Sequence, residues 1–219
     1  MSRTVLDLHT SLAYRLGENS APSDATEKAK RLSWFNEGYR DLMKREFWWF
    51  SRKTDTESTV EDQQAYSMPA DFRKFIEMRV DDYLYSEIPY DEVYSKLDSP
   101  SRIVSLPQYS EPNRFYIKAS SYYLDPTPSA SGTDNIDLYY YYFPTALTSD
   151  SDVTIIPDLY VDLLVAYAEG RYWHSITQRG KASDGFSEFE QIVSQMTREN
   201  NSQYLGVANR TLHPDDIPV

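Results

Sequence analysis

The chain has 219 residues, of which 22 are basic and 34 acidic, so its formal net charge at pH 7 is −12. The acidic balance argues against a protein that binds nucleic acid through a basic surface. Cysteine is absent, which excludes disulfides, cysteine nucleophiles, zinc ribbons and iron–sulfur clusters, and no apolar run approaches about 18 residues, which predicts that the membrane is not a partner.

The first segment, residues 1–53, has the periodicity of two helices. Apolar residues recur at helical spacing from Val5 to Leu16, and Gly17 provides a C-terminal stop. Asp24 is predicted to cap a second helix, and Glu27 three residues later would complete a capping box. This helix ends in the aromatic run 47–50. Because four consecutive aromatic side chains cannot all face one side of a helix, we expect some of them to contact another element.

The middle segment, residues 54–150, is predicted to be a β-rich insert. Its last strand shows the clearest alternation, which places Ile136, Leu138, Tyr140 and Tyr142 on one face. The opposite face carries Asp137, Tyr139 and Tyr141 and is too aromatic for an ordinary solvent face. The other predicted strands are 65–69, 75–80 and a hairpin formed by 115–117 and 122–124, with its turn at Lys118 to Ser121.

Most of the negative charge belongs to this part of the chain. Residues 54–162 hold seven basic and twenty acidic side chains, whereas residues 1–53 hold ten basic and seven acidic ones. Two interpretations remain open. The acids could border a passage through which DNA slides without sticking, or they could keep an aromatic-rich protein soluble.

The last segment returns to helical periodicity. Pro157 is predicted to lie in the first turn of an apolar, buried helix, and a fourth helix is expected to start near Ser183 or Asp184. From residue 201 to 219 no period is visible, which predicts an extended tail. The predicted fold class is therefore α+β: a small helical bundle formed by residues 1–53 and 151–200, a β-rich insert at 54–150, and an extended C-terminal docking tail at 201–219.

The sequence contains little that indicates catalysis. His9, His174 and His213 are far apart and form no metal-binding pattern. No phosphate-binding loop or nucleophile elbow occurs. Acid pairs such as Asp81-Asp82 do not specify the separation that glycosidase chemistry needs. We therefore expect a protein that is not an enzyme and that has no cofactor and no metal.

The tyrosine run 139–142 has three interpretations. Its residues could belong to a β-core, to a protein–protein interface, or to a surface that stacks on sugars. The sequence alone does not choose among them.

Several motifs together resemble the head-to-tail adaptor (connector) proteins of tailed bacteriophages. Residues 36–42, followed by the aromatic run 47–50, resemble a helix of that family that ends in aromatic residues. Tyr66-Ser67-Met68-Pro69-Ala70-Asp71-Phe72 looks like the strand entry of that family. The segments 122–128, 136–141 and 156–160 are similar to the strands and the helix start that follow. The turn Lys118 to Ser121 departs from the family pattern, because glycine is expected there.

This resemblance implies a structural protein of the virion neck, made in the host cytoplasm. Copies would form a homo-oligomeric, dodecameric ring that binds the portal protein and a tail or neck protein, and DNA would pass through the ring without specific binding. The alternative is a carbohydrate- or cell-wall-active phage protein that uses surface tyrosines and carboxylates. The residues predicted to lie at subunit or portal interfaces are Trp48, Trp49, Tyr139, Tyr141, Tyr204, Leu205, Leu212 and Ile217.

Overall fold

The computed structural model describes residues 3–90 and 113–208, with side chains as far as Ser202. Within these residues the fold is α+β, as predicted, with helices at both ends of the chain and strands between them. The chain divides into two compact units. The helical unit comprises Met1–Ser51 and Pro144–Val219, and the sheet unit comprises Arg52–Phe143.

The first two helices are capped by acidic and hydroxyl side chains. Helix α1 spans Val5–Arg15, and Thr4 and Asp7 form a capping box at its start. Gly17 follows the helix with φ +80°, so the predicted stop is confirmed. Helix α2 spans Ala25–Arg45, and the Asp24 side chain accepts a hydrogen bond from the Glu27 backbone N–H.

Glu27 does not act as predicted. Its carboxylate accepts a hydrogen bond from Arg31 Nε at 3.0 Å, one turn further along the helix. The reciprocal half of a capping box needs the same carboxylate to reach back to the backbone of Asp24. The buried Arg31 guanidinium, which is 2% exposed, takes it instead and also binds Glu18 Oε1 at 2.7 Å, because a buried cation is costly unless it is paired and hydrogen-bonded.

The last two helices differ from the prediction at their ends. Helix α3 spans Asp162–Ser175 and helix α4 spans Arg179–Ala208. Pro157 lies before α3, in a separate turn closed by a hydrogen bond from Tyr160 N–H to Pro157 O at 2.8 Å. Helix α4 begins several residues before the predicted start at Ser183 or Asp184.

Helix α4 also continues past its predicted end. The prediction of an extended chain from residue 201 is wrong for 201–208, which are helical, and residues 209–219 lie outside the described residues. The sequence 201–208 contains Tyr204, Leu205 and Val207, but their spacing does not form an apolar stripe at the helical period. A helix needs such a stripe for burial, but its backbone hydrogen bonds propagate without one.

Helix α3 is the central element of the helical unit and packs against α1, α2 and α4. The prediction that it is buried is confirmed, since six of its residues lie in the interior. Contact with α4 is close enough to need glycine on both helices. A Cβ added at Gly185 would lie 2.7 Å from Gly170 N, and one added at Gly170 would lie 2.9 Å from the Phe186 ring.

The segment 144–150, predicted as part of the insert, belongs to the helical unit. The side chain of Asn36 on α2 holds it through both backbone groups of Leu147. Leu147 N–H donates to Asn36 Oδ1 at 2.8 Å, and Asn36 Nδ2 donates to Leu147 O at 2.9 Å. This amide bridge satisfies the backbone of a loop residue whose side chain is itself buried.

The described strands of the sheet unit are β1 Arg52–Glu57, β2 Ala65–Ser67, β3 Phe72–Val80, β4 Tyr83–Glu87, β5 Arg114–Lys118, β6 Ser121–Asp125 and β7 Ile136–Tyr142. They form one seven-stranded sheet in the order β1-β7-β3-β4-β5-β6-β2. Adjacent strands run antiparallel except for β4 and β5, which are parallel. The predicted strands are confirmed at 65–67, 75–80, 114–118, 121–125 and 136–142, and the sequence does not predict β1 and β4.

The β5–β6 turn forms without the glycine that the family resemblance leads one to expect. Lys118 pairs directly with Ser121, which leaves Ala119 and Ser120 as a two-residue turn. Ala119 supplies the left-handed backbone with φ +54°. Such a conformation is unfavourable for alanine, so the hairpin is held by the ladder on either side of the turn.

The sheet curls so that its inner face surrounds a core. Tyr122 on β6 donates a hydrogen bond to Glu57 Oε2 on β1 at 2.8 Å, although four strands lie between β1 and β6 in the sheet order. Across the interior, the rings of Phe75 and Phe115 lie 4.7 Å apart. The inner face carries Met78, Val80, Phe115, Tyr122, Leu124, Ile136, Leu138 and Tyr140, all buried.

Candidate interface surfaces

The aromatic run that follows α2 is mostly an internal anchor. Trp48 is fully buried, its Nε1 donates to Leu42 O at 2.9 Å, and its ring stacks on Phe50 at 5.9 Å. Trp48 therefore belongs to the core of the helical unit, and its predicted interface role does not fit this placement. Trp49 is only partly buried and packs edge-on against Phe50 and Tyr160.

Asn200 on α4 holds this run in place, and no sequence pattern predicts this role. Its side chain is 1% exposed. Its Oδ1 accepts from Trp49 N–H at 3.1 Å, and its Nδ2 donates to Phe47 O at 3.3 Å. One amide thus satisfies a donor and an acceptor of an irregular backbone segment, which is the role of most buried polar side chains.

The tyrosines of β7 lie on both faces of the sheet, as period two predicts. Tyr140 faces the core, and its hydroxyl donates to Asp71 Oδ1 at 2.8 Å. Lys53 Nζ binds the other oxygen of Asp71 at 2.8 Å. Burial and the neighbouring carboxylate raise the pKa of Tyr140 to about 12, so this hydroxyl remains a donor at any physiological pH.

Tyr141 lies on the outer face but is only 6% exposed. Its direct cross-strand neighbours are Arg52 on β1 and Lys74 on β3, and the Arg52 guanidinium lies 5.7 Å from the centre of the ring. The alkyl stems of long cationic side chains cover apolar surface while their charged ends reach water. Because Tyr141 is buried, it contributes little accessible surface to the predicted interface.

Tyr139 remains accessible at the floor of a groove. It lies between Thr54 on β1 and Glu77 on β3 in the next outer-face row. A bulge in β3 adds Ile76 beside this row, with 40% of its surface exposed. The outer-face groove, as we call it, is an open depression of about 480 Å³ lined by Arg52, Lys53, Thr54, Ile76, Glu77, Arg79 and Tyr139.

A second exposed feature of the sheet unit is the turn between β3 and β4. Val80 pairs with Tyr83, which leaves Asp81 and Asp82 as a two-residue turn with φ +50° and +67°. Two left-handed residues are characteristic of the tight turns that connect antiparallel strands. Directly after the turn, Tyr83 is 68% and Leu84 61% exposed. We call the segment 81–84 the hairpin tip.

The predicted tail residues have different positions. Tyr204 and Leu205 fall within the bounds of helix α4, beyond the last described side chain. Leu212 and Ile217 lie outside the described residues. Their predicted role at an interface stays a prediction.

The described residues hold no group of three or more His, Asp and Glu side chains that could bind a metal ion. In the same part of the chain, none of the helices combines the length and the apolar character that a membrane span needs. Of the described histidines, His9 is buried against Phe35 with ring centres 5.2 Å apart. Burial lowers the pKa of His9 below its usual 6.5.

A family model described as the SU10 adaptor protein matches residues 3–211 and so covers both units. The match confirms the resemblance to head-to-tail adaptor proteins of phages. No curated protein matches the chain.

Proposed function

The chain belongs to the SU10 adaptor family, and from this we propose that it is a structural protein of the virion neck. Copies of the chain form a dodecameric ring beneath the portal, extend the DNA channel and offer a surface for attachment of the tail. The observation that carries the proposal is the family match over residues 3–211. Its partners are further copies of the chain, the portal protein, and a tail or neck protein.

The surfaces of both units support a function by assembly. Large side chains are exposed on each unit: Leu159 at 75% on the helical unit and Tyr83 at 68% on the sheet unit. Single exposed apolar residues are common on monomers. Exposed tyrosine is, however, enriched at protein interfaces, because it combines a large apolar ring with a hydrogen-bonding end.

The experiment is reconstitution on heads that carry a portal but lack the adaptor. Purified chain is added, and electron micrographs are averaged along the axis of the portal vertex. The proposal expects a ring of new density directly beneath the portal and, after addition of tails, restored infectivity. Heads that remain without this density at saturating protein would contradict it.

We further propose that the acidic surplus of residues 54–162 borders the DNA channel. Exposed acids in the loops between strands, such as Glu61, Asp62 and Asp134, support this proposal. A wall of carboxylates repels phosphates over the roughly 8–10 Å that physiological salt leaves unscreened. A structure of the assembled ring in which this segment forms a neutral or basic channel wall would refute the proposal.

Attachment to the portal is proposed to use the residues that follow helix α4. The sequence 209–219 contains Leu212, Ile217 and Val219 beside Pro214 and Pro218, and burial of apolar side chains in a portal groove contributes about 25 cal/mol per Å² before the ordering cost. The alternative is that this segment packs onto its own subunit.

Truncation after Ala208 distinguishes docking at the portal from packing onto the same subunit, because it leaves the described part of α4 intact. Docking at the portal predicts unchanged unfolding of the truncated monomer and loss of its binding to heads. Packing onto its own subunit predicts lower stability with binding retained. The matched control removes Met1 and Ser2 from the other end of the chain.

A further inference from the structure

The outer-face groove has a charge opposite to that of the chain. The side chains that line it include three cations, Arg52, Lys53 and Arg79, and one acid, Glu77. Glu77 pairs with Arg79, and Asp71 beside the groove pairs with Lys53, so the groove keeps an excess of one positive charge on a chain whose net charge is −12. Its remaining lining is apolar or aromatic, with Ile76 and Tyr139 at the centre. The groove therefore suits a partner segment that is acidic and carries an aromatic or aliphatic side chain.

The hairpin tip of the same chain has this chemistry. Asp81 and Asp82 are exposed carboxylates, and Tyr83 and Leu84 follow them with more than half of their surface exposed. The tip is also braced: Asp81 N–H donates to Asn135 O at 2.9 Å, and Asn135 Nδ2 donates to Asp81 Oδ1 at 3.1 Å. A braced tip loses little conformational entropy on binding.

The tip cannot reach the basic end of its own groove. Arg52 lies in the same cross-strand row as Lys74, and six steps of β3 separate Lys74 from Val80, where the turn begins. At about 3.3 Å per residue, the tip begins about 20 Å along the strand from this row. The tip and the basic end of the groove can therefore meet only between two copies.

Resting on the proposed function, we propose that the hairpin tip of one copy docks into the outer-face groove of a neighbouring copy. Asp82 pairs with Arg52 of the neighbour, and the Tyr83 ring packs on Ile76 and Tyr139. Because tip and groove are different surfaces, the contact is heterologous, and repetition of a heterologous contact generates a closed ring when the rotation closes. One tip covers far less than the roughly 1,200–2,000 Å² of a stable interface, so other contacts between the copies add to it.

Apolar substitutions at exposed positions test the packing part of the contact. Tyr83→Ser and Ile76→Ser are expected to weaken self-association at least about tenfold, as residues at the centre of an interface do. Tyr14→Ser is the matched control, because Tyr14 is exposed to nearly the same extent, 64% against 68% for Tyr83, and lies on α1. The fully assembled and free chains are measured by sedimentation velocity over a range of concentrations.

Charge reversal tests the pairing itself. Asp82→Arg alone places two cations at each contact, and Arg52→Glu alone places two carboxylates there, so each variant is expected to fail to assemble. A mixture of the two is expected to assemble, since each tip then meets an opposite charge on the other variant. Asp82→Asn is the milder variant, because asparagine tolerates the left-handed backbone at φ +67°, and it is expected to weaken association without changing the circular dichroism of the monomer.

The outcomes separate this inference from the proposed function. If the wild-type chain assembles neither alone nor on portal-bearing heads, both are overturned. If the wild-type chain and all variants at the tip and groove assemble alike, only the docking contact is overturned. Failure of the charge-reversed mixture, with both variants folded, also overturns the contact.

Discussion

The close crossing of α3 and α4 makes a specific prediction for Gly185. A Cβ at this position would lie 2.7 Å from Gly170 N, 2.9 Å from Gly170 Cα and 3.0 Å from Ala166 O, whereas ordinary carbon contacts lie at about 3.5–4.0 Å. All three atoms belong to the backbone of α3, so no side chain can rotate away. The Gly185→Ala change therefore requires the two helices to separate.

The expected magnitude is a difference between two opposing effects. Overpacking of a close contact costs about 1–3 kcal/mol, and a rigid backbone on both sides places this site in the upper half of that range. Alanine improves helix propensity over glycine by about 1 kcal/mol. The net loss in the free energy of unfolding is then about 1–2 kcal/mol, or a fall in Tm of about 2–8 °C.

Tryptophan fluorescence during urea unfolding measures this directly, because all four tryptophans, Trp34, Trp48, Trp49 and Trp173, lie in the helical unit. Gly180→Ala is the matched control. It makes the same change in the same helix at a site where a Cβ would meet nothing within 4 Å, and it is expected to be neutral or slightly stabilising. A Gly185→Ala protein as stable as wild type would show that the crossing is not fixed by backbone contact.

Two further predictions concern the interior of the helical unit. Leu163→Ala is expected to lower the free energy of unfolding by about 2–5 kcal/mol, because Leu163 is fully buried. The control Leu159→Ala changes a residue that is 75% exposed and should change this free energy by less than about 0.5 kcal/mol. Similar losses for the two variants would contradict the placement of α3. Because the pKa of His9 is lowered in the folded state, the unfolded chain takes up the proton first as pH falls below about 6.5. The contribution of His9 to the free energy of unfolding is therefore complete above that pH. It decreases as pH falls toward the pKa of the folded state, by up to about 1.4 kcal/mol per pH unit. His9→Gln should flatten this dependence. A His9→Gln variant with the same pH profile of stability as wild type would refute the assignment.

The sequence predicted the elements whose burial is one-sided or complete. Strand β7 alternates visibly, and α3 is apolar nearly all round, so the sequence predicts both. It did not predict that Tyr141 on the outer face is buried, because the neighbours of an outer-face residue depend on the register of the adjacent strands, here β1 and β3. Strand β1 itself was missed, since its six residues are polar and five of them are exposed.

The hairpin tip shows the same limit in another form. In the sequence, Asp81 and Asp82 are an acid pair that does not specify the separation that glycosidase chemistry needs. Their place in the molecule depends on two left-handed backbones and on Asn135, more than fifty residues away. Charge can be counted in a sequence, but the partner of a turn residue on another strand cannot.

The pairing of β1 with β7 has a consequence for how the two units can vary. The chain enters the sheet unit at Arg52 and leaves it after Phe143, and Arg52 lies directly opposite Tyr141 in the ladder. Cross-strand partners are separated by only about 5 Å, so the sheet unit is an insertion whose two ends are adjacent. Such insertions can be exchanged or shortened with little effect on the host domain. A short loop in place of residues 52–143 would keep the chain of the helical unit continuous. A different unit inserted at the same junctions would give the same helical scaffold a new surface.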